Sequence, residues 1–383
     1  MGRPGVLRRS LRVLHVDSAH DWRGGQAQIL GLITGLAGRG HEQWLAAPEG
    51  PLAQRVRSLG TPHLGFAPRS DLDLGAALSL AARARSIAPD VVHLHSARAH
   101  ATGWWAARSA HAACVVARRV DFAVAANPLS ALKYRLPVDA FVTVSRGVAD
   151  VLLAAGIPGA KVRVIHDGIA VEAFAQSVER ARGEHRGETL RAAWGVPAGA
   201  PLVGMIAALA PHKDHATFLA AARGVLAVRP DAWFVCAGDG PLRDRVRAEA
   251  NSPGLTGRVT LPGFVQDVPA VLAALDVFVL SSYLEGLGTS VLDAQAAGVP
   301  VVATWVGGIP EMIESEVSGL LVPPRNPAAL AAGIRRVLDD PAAARTRADR
   351  ARSTVRAFDV GRTVDATETL YLELTRAPRG NAA

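Results

Sequence analysis

A protein of two α/β domains, each built on a parallel sheet, is what this sequence predicts, and three observations predict it. Apolar runs of strand length alternate with glycine-bearing turns and helix-like stretches. That pattern stops at a polar, charge-dense stretch, Gln176 to Arg191, and then starts again. The chain has 383 residues, 49% of them apolar, which is enough for two full cores. Strands alternating with helices argue for parallel sheets, and ligands of such sheets bind beyond the carboxyl ends of the strands.

The elements follow in order. Leu11 to Val16 reads as a buried strand, and Gly24-Gly25 opens a helical stretch from Gln26 to Leu36. Val91 to Leu94 is a second strand, with Pro89-Asp90 as its turn signal. Cys114 to Ala117 and Phe141 to Val144 continue the series. After the polar stretch, Leu202 to Ala207 is a strand and His215 to Val228 a helix. Trp233 to Ala237 is a strand ending in Gly238-Asp239-Gly240, and Val277 to Leu280 and Val299 to Ala303 complete the set. The expected organisation is an N-terminal Rossmann-like domain over residues 1–190, a second over 198–355, and a cleft between them. Aromatic residues are only 5%, so the cores must be mostly Ala, Val and Leu.

Composition excludes several classes. The longest apolar runs fall far short of the roughly 20 residues a membrane span needs. The basic start, Met1 to Arg12, leads into a strand and not into a signal core of about 7–15 apolar residues, so a cytoplasmic location is expected. Cys114 and Cys236 each lie in an apolar run, suit reduced core positions, and support no metal site by their spacing. The net charge of +8 is uneven: residues 1–197 hold 24 basic against 15 acidic side chains, and the remainder 18 against 19. A basic N-terminal half suits a phosphorylated acceptor or the anionic inner face of a plasma membrane. No basic-aromatic motif accompanies the charge, which argues against nucleic acid. Only three of the 42 basic residues are Lys, so compositional bias explains the choice of Arg but not the asymmetry.

The chemistry concentrates in residues 281–304. Glu285 lies in a glycine-bearing turn after the strand ending at Leu280, and Asp293 follows with seven residues between, in an Ala-rich helix. Carboxylates placed there accept hydrogen bonds from sugar or ribose hydroxyls. Lys213, the only lysine in residues 198–383, lies between a strand and a helix, where a compact ammonium suits a phosphate. Gly24-Gly25 permits close backbone approach at a helix start, where free N–H groups favour an anion. His93, His95 and His100 cluster around the end of the second strand. His93 reads as a core residue with one satisfied nitrogen, and His95 as the one facing the cleft.

The stretch from Glu285 through Asp293, Ala294, Ala296, Gly298 and Pro300 to Ala303 resembles the nucleotide-sugar-binding core of the retaining family-4 glycosyltransferases, which have the GT-B fold. The resemblance implies two Rossmann-like domains facing a central cleft, the acceptor in the first and the donor in the second, with a last helix within 356–383 returning to the first domain. It places Glu285 at the transferred sugar, Asp293 at the ribose hydroxyls, and Gly286, Leu287, Gly288, Thr289 and Ser290 with backbone N–H groups near the phosphates. Lys213 would bind the donor diphosphate; Ala208 stands where the family carries an assisting arginine, and Arg243 is one candidate to replace it. Gly24 and Gly25 would face the donor phosphates and the acceptor, Gly238 would shape the nucleotide pocket, and Phe264 and Val265 would meet the base. A family histidine is missing from Ala117 to Phe122, where Arg119 and Asp121 are the stand-ins. Arg118 and His95 are read as acceptor-binding. Val144-Ser145-Arg146 and Ile165 to Ile169 match family segments at the end of the first domain, with Gly168 in a turn near the hinge.

The reaction so implied is transfer of a sugar, with retention, from a nucleoside diphosphate sugar to a bacterial cell-envelope glycan, a glycolipid or a small-molecule acceptor. Attack from the front face fits, because no enzyme nucleophile is apparent, and domain closure would exclude water. No metal or other cofactor is expected, and the base, sugar and acceptor stay open. Three alternatives share the scaffold: a nucleotide-sugar epimerase, a phosphorylase-like enzyme with pyridoxal phosphate on Lys213, and a non-catalytic sugar-nucleotide-binding protein. A Schiff-base lysine needs a deprotonated amine, for which the residues make no case. Ala208 and Asp293 are what favour the non-catalytic reading.

Overall fold

The computed structural model describes residues 9–122, 124 and 132–376. Most of the basic N-terminal stretch, and residues 377–383, lie outside them. The chain divides into two compact units: residues 1–167 with 360–383, and residues 168–359.

The first unit carries seven parallel strands: β1 Arg12–Val16, β2 Glu42–Ala47, β3 His63–Gly65, β4 Val91–Leu94, β5 Ala113–Arg118, β6 Ala140–Thr143 and β7 Val162–Val164. Their order is β3-β2-β1-β4-β5-β6-β7. Register places His15 of β1 beside His93 of β4. The strands β1, β4, β5 and β6 are almost wholly buried, as near-continuous apolar runs predict for a sheet covered on both faces. On one face Leu14, Val16, Leu94, Cys114 and Phe141 form a core; on the other Val13, Val91, Val115 and Tyr371 form a second. Both cysteines are free and buried, and burial pushes the Cys236 thiol up to about 12.

The second unit carries six parallel strands: β8 Leu202–Ile206, β9 Trp233–Ala237, β10 Val259–Gly263, β11 Val277–Leu280, β12 Val301–Thr304 and β13 Leu320–Val322. Their order is β10-β9-β8-β11-β12-β13. The edge strand β10 contains Pro262 and a register shift between Thr260 and Gly263; an edge position tolerates both.

Two boundaries differ from expectation. The polar stretch Gln176 to Arg191 is not a break in the fold, and the first domain does not run to residue 190. Helices Val171–Gly183 and Arg186–Ala193 cover that stretch within the second unit. They look polar because only one stripe is buried, through Val178 and Ala181. Arg191 donates to Ala274 O at 2.7 Å and pairs with Asp276 at 3.1 Å, while Gly187 packs against the Ala273–Ala274 backbone. The chain re-enters the first unit at Val360, not at 356. Helix Val360–Arg376 lies on helix Gly24–Ala37, where Val360 and Val364 fill the space left by Gly31 and Gly35. Buried Glu368 accepts from Arg39 and pairs with His41 at 3.1 Å.

Candidate functional site

In the second unit, the adjacent strands β8 and β11 bring the motif residues together at their carboxyl ends. Lys213 closes a single turn of 3₁₀ helix, Pro211–Lys213. Asp214 follows in the left-handed region and caps helix His215–Leu226 through Thr217. The turn after β11 is tied to this loop: Ser281 Oγ reaches Lys213 O at 3.0 Å and Asp214 O at 2.9 Å, and Tyr283 N–H donates to His212 O at 2.9 Å. These bonds set Lys213 Nζ against Glu285 Oε2 in an ion pair whose side chains are 16% and 11% exposed. Ser282 Oγ donates to the same oxygen at 3.0 Å. The pair is self-neutralising: the one lysine and the one glutamate that the sequence singles out hold each other.

Gly288 caps helix Thr289–Ala296 at φ 90°, and a Cβ there would lie 3.2 Å from Glu285 Cγ. Only glycine fits, and no side chain caps the helix start; Val291 N–H donates to Gly288 O at 2.8 Å. Leu287 is a core side chain, so it offers only its backbone. Asp293 sits one turn further along. Burial pushes its carboxyl up to about 7, and among the described residues no side-chain or backbone donor meets that carboxylate. Asp293 is half-buried, and a carboxylate there without a protein partner is costly unless water or a ligand's hydroxyls complete it.

Gly238 follows β9 at φ 152°, where a Cβ would lie 1.9 Å from Ala207 O, so the backbone there requires glycine. Arg243, at the start of its helix, pairs with Asp239 in the preceding loop, which occupies the guanidinium proposed to replace the missing arginine at 208. Phe264 is 57% exposed at the end of β10, beside half-buried Val265, so it is not a core residue.

The first unit holds a second constellation. Arg119 Nε donates to Asp167 at 3.2–3.3 Å, and Arg119 Nη1 meets His95 Nδ1 at 3.3 Å. His95 Nε2 lies 2.9 Å from His15 Nδ1, and His15 Nε2 lies 2.8 Å from Gln43 Oε1. Both ends fix the protons. A guanidinium can only donate and a carboxamide oxygen can only accept. His95 therefore accepts at Nδ1 and donates at Nε2 to His15, which donates at Nε2 to Gln43. Burial holds all these rings neutral, lowering His15 to about 4 and His93 and His95 well below the usual range, with Arg119 adding to the effect. Gly25 lies against Arg119 Cδ at the start of helix Gly24–Ala37, so those two residues do meet. Asp121 is half-buried two residues beyond Arg119.

Arg118 is a correction. While Arg119 lies just beyond the strand, Arg118 ends β5 and packs inward. It donates to Tyr134 Oη and to Phe122 O and is 7% exposed, not free for an acceptor. His100 also parts from the other histidines and packs edge-on against Tyr134 and Phe141. His93 has the expected single partner, Tyr371 Oη at 2.5 Å from Nδ1, with Nε2 unpaired. His15 and Gln43 were missed, because the register that sets His15 beside His93 comes only with the folded sheet. One nitrogen each of His15, His93 and His95 lie within 4.8 Å of one another. Both nitrogens of His15 and of His95 are already bonded within the protein, and a guanidinium abuts His95, so this donor set does not fit a divalent metal.

Two family models match the chain: "Glycosyltransferase Family 4" over residues 22–173 and "Glycosyl transferases group 1" over residues 187–354. A GDP-mannose-dependent alpha-mannosyltransferase of Mycobacterium tuberculosis is 31% identical over 77% of this chain and 79% of its own. A 2-deoxystreptamine glucosyltransferase of Streptomyces kanamyceticus is 37% identical over 40% of this chain, but the match spans only 41% of that relative's length. The crystal structure of Anabaena HepE in complex with UDP and glucose superposes with a TM-score of 0.82 at 21% identity, covering 94% of this chain and 99% of that one. The curated relatives are transferases, which sets the epimerase reading aside.

Proposed function

Because this chain belongs to family 4 of the glycosyltransferases, with the GT-B fold, we propose that it transfers a sugar, with retention, from a nucleoside diphosphate sugar to a carbohydrate or other hydroxyl-bearing acceptor. The observation that carries this reading is the Lys213–Glu285 pair at the carboxyl ends of β8 and β11, beside the open start of helix Thr289–Ala296 and above the unpartnered Asp293. Each group matches one part of such a donor. The ribose hydroxyls complete Asp293. The diphosphate draws Lys213 from Glu285 and meets the helix N–H groups. Glu285, so released, accepts hydroxyls of the transferred sugar.

As the glycosidic bond breaks, negative charge grows on the departing diphosphate. Lys213 and the fixed helix dipole stabilise it without reorganising, which is where electrostatic catalysis is strongest. The acceptor hydroxyl attacks from the leaving-group side, and its proton passes to the departing phosphate oxygen. Arg119, held by Asp167 and His95, is the first unit's candidate for contact with the reacting sugar. The charge asymmetry persists across the structural boundary: the first unit's sequence holds 23 basic against 14 acidic residues, the second 19 against 20. That supports a neutral or anionic acceptor. Among the described residues no helix is long and apolar enough to cross a membrane. Ala208 favours a second reading, binding without turnover.

Thermal denaturation with UDP, GDP and ADP and their sugar conjugates tests the donor assignment, because a ligand of the native state raises its apparent stability. A shift with one nucleotide, lost in Lys213→Ala, is expected. Binding with no product from any hydroxylated acceptor would leave the non-catalytic reading standing. NMR of the product's anomeric proton checks retention.

A further inference from the structure

We infer that the carboxyl ends of β11, β12 and β13 form a carbohydrate subsite, with Trp305 as its stacking face and Arg325, seated on Tyr283, as its hydrogen-bond donor. The inference rests on the donor reading above for its direction. Glu285, which takes the transferred sugar in that reading, follows β11, and β12 and β13 are the next strands of the same sheet.

What stands there is built. Trp305 is 61% exposed, yet its backbone is pinned by donation to Val322 O at 2.8 Å, immediately after fully buried Thr304. Thr304 Oγ1 in turn donates to Ser282 O, which anchors the turn carrying Tyr283. Arg325 lies over the Tyr283 ring at 4.1 Å from its centroid, and among the described residues it has no carboxylate partner. Its backbone is left-handed, with φ 55°, a conformation a glycine would adopt without strain and an arginine adopts against it. The side chain is thus kept at an unfavourable backbone position, stacked on an aromatic ring, with its donors unspent.

An exposed indole and an oriented guanidinium are the two halves of a pyranose-binding surface. The ring's C–H face covers the apolar indole, and its hydroxyls or carboxylate take the guanidinium donors. Arg325 selects against a cationic amino sugar. The expected ligand is a neutral or acidic glycoside of the acceptor.

The experiment uses the full chain labelled with 5-fluorotryptophan, the Trp305 resonance being assigned through Trp305→Phe. Methyl glucoside, methyl mannoside, methyl glucuronide and 2-deoxystreptamine are titrated in the presence of whichever of UDP, GDP or ADP binds. A neutral or acidic glycoside should move the Trp305 resonance, and Arg325→Gly, which relieves the left-handed strain, should weaken that titration about tenfold. Movement by 2-deoxystreptamine alone would overturn the charge argument. No movement by any of the four, with nucleotide bound, would overturn the subsite. Failure of every nucleotide to bind is a separate result that removes the donor reading; movement of Trp305 by a glycoside would then still uphold the sugar surface. In turnover, Trp305→Ala should raise acceptor KM about tenfold and leave donor KM within about twofold. A fall in kcat at unchanged acceptor KM would count against it.

Discussion

The two units handle their polar groups in opposite ways. In the first, Arg119, His95, His15 and Gln43 form one directed chain of hydrogen bonds, buried and almost complete without a ligand. In the second, Lys213 and Glu285 neutralise each other in a largely buried ion pair, while half-buried Asp293 has no protein partner among the described residues. The first is preorganised; the second waits for something to complete it. Their response to acid differs in sign for the same reason. The first unit's histidines sit below their unfolded value, and the second unit's Asp293 sits above its own.

The largest expected effect is in the second unit. Lys213→Ala should lower turnover by about 10²–10³-fold, as loss of a preorganised charge does elsewhere. Steady-state rates near wild type would remove Lys213 from the site.

Next comes acid stability in the first unit. Buried His15 has a pKa near 4 in the fold against 6.5 as its ordinary value, so its contribution is present above about pH 6.5 and is lost as pH falls toward 4. The loss for this one residue is roughly 3 kcal/mol. Hydrogen exchange corrected for intrinsic rates, followed unit by unit, should show β1 and β4 losing protection between pH 6.5 and 4.5 ahead of β11. Equal loss in both units would break the contrast.

Asp293→Asn tests the opposite sign. The carboxyl, raised from 3.8 to about 7, favours the fold below pH 3.8, and that advantage is lost as pH rises through 7. Asparagine does not ionise, so the variant should melt roughly 3–6 °C above wild type at pH 8.5 and show less difference at pH 5. Nucleotide affinity should fall over the same substitution. A lower Tm at pH 8.5 would mean that the ionised carboxylate has a partner in solution.

The smallest effect sharpens the reading of the ion pair. Glu285→Gln releases Lys213, so free UDP or GDP should bind a few-fold tighter by calorimetry while transfer slows. Weaker nucleotide binding would show that Glu285 helps to hold the diphosphate instead of competing with it.

Much of this was legible in the sequence. The buried strands β1, β4, β5, β6, β8, β9, β11 and β12 announce themselves as apolar runs, because a strand covered on both faces has no polar side to obscure it. Short edge strands such as β3, β7 and β13 do not, since three residues carry no period. The stretch Gln176 to Arg191 reads as a polar break between domains because part of its packing is by arginine to carbonyl and by glycine to backbone, neither of which looks apolar. In the site, Lys213, Glu285 and Gly288 were found by spacing and do converge. Arg118 was misplaced because, as the last residue of β5, it is drawn inward to Tyr134 and Phe122 O, partners far from obvious in the sequence. Gln43 was out of reach because its role depends on a register that only the folded sheet supplies.

Helix Val360–Arg376 completes the first unit although nearly two hundred residues of the second are made before it. During synthesis the second unit has its whole sequence outside the ribosome while Gly31, Gly35, Arg39, His41 and His93 still lack their partners Val360, Val364, Glu368 and Tyr371. The unit whose chain begins first is therefore the last to be finished, and a premature stop after residue 359 spares the donor-side residues while leaving the other unit's apolar face uncovered.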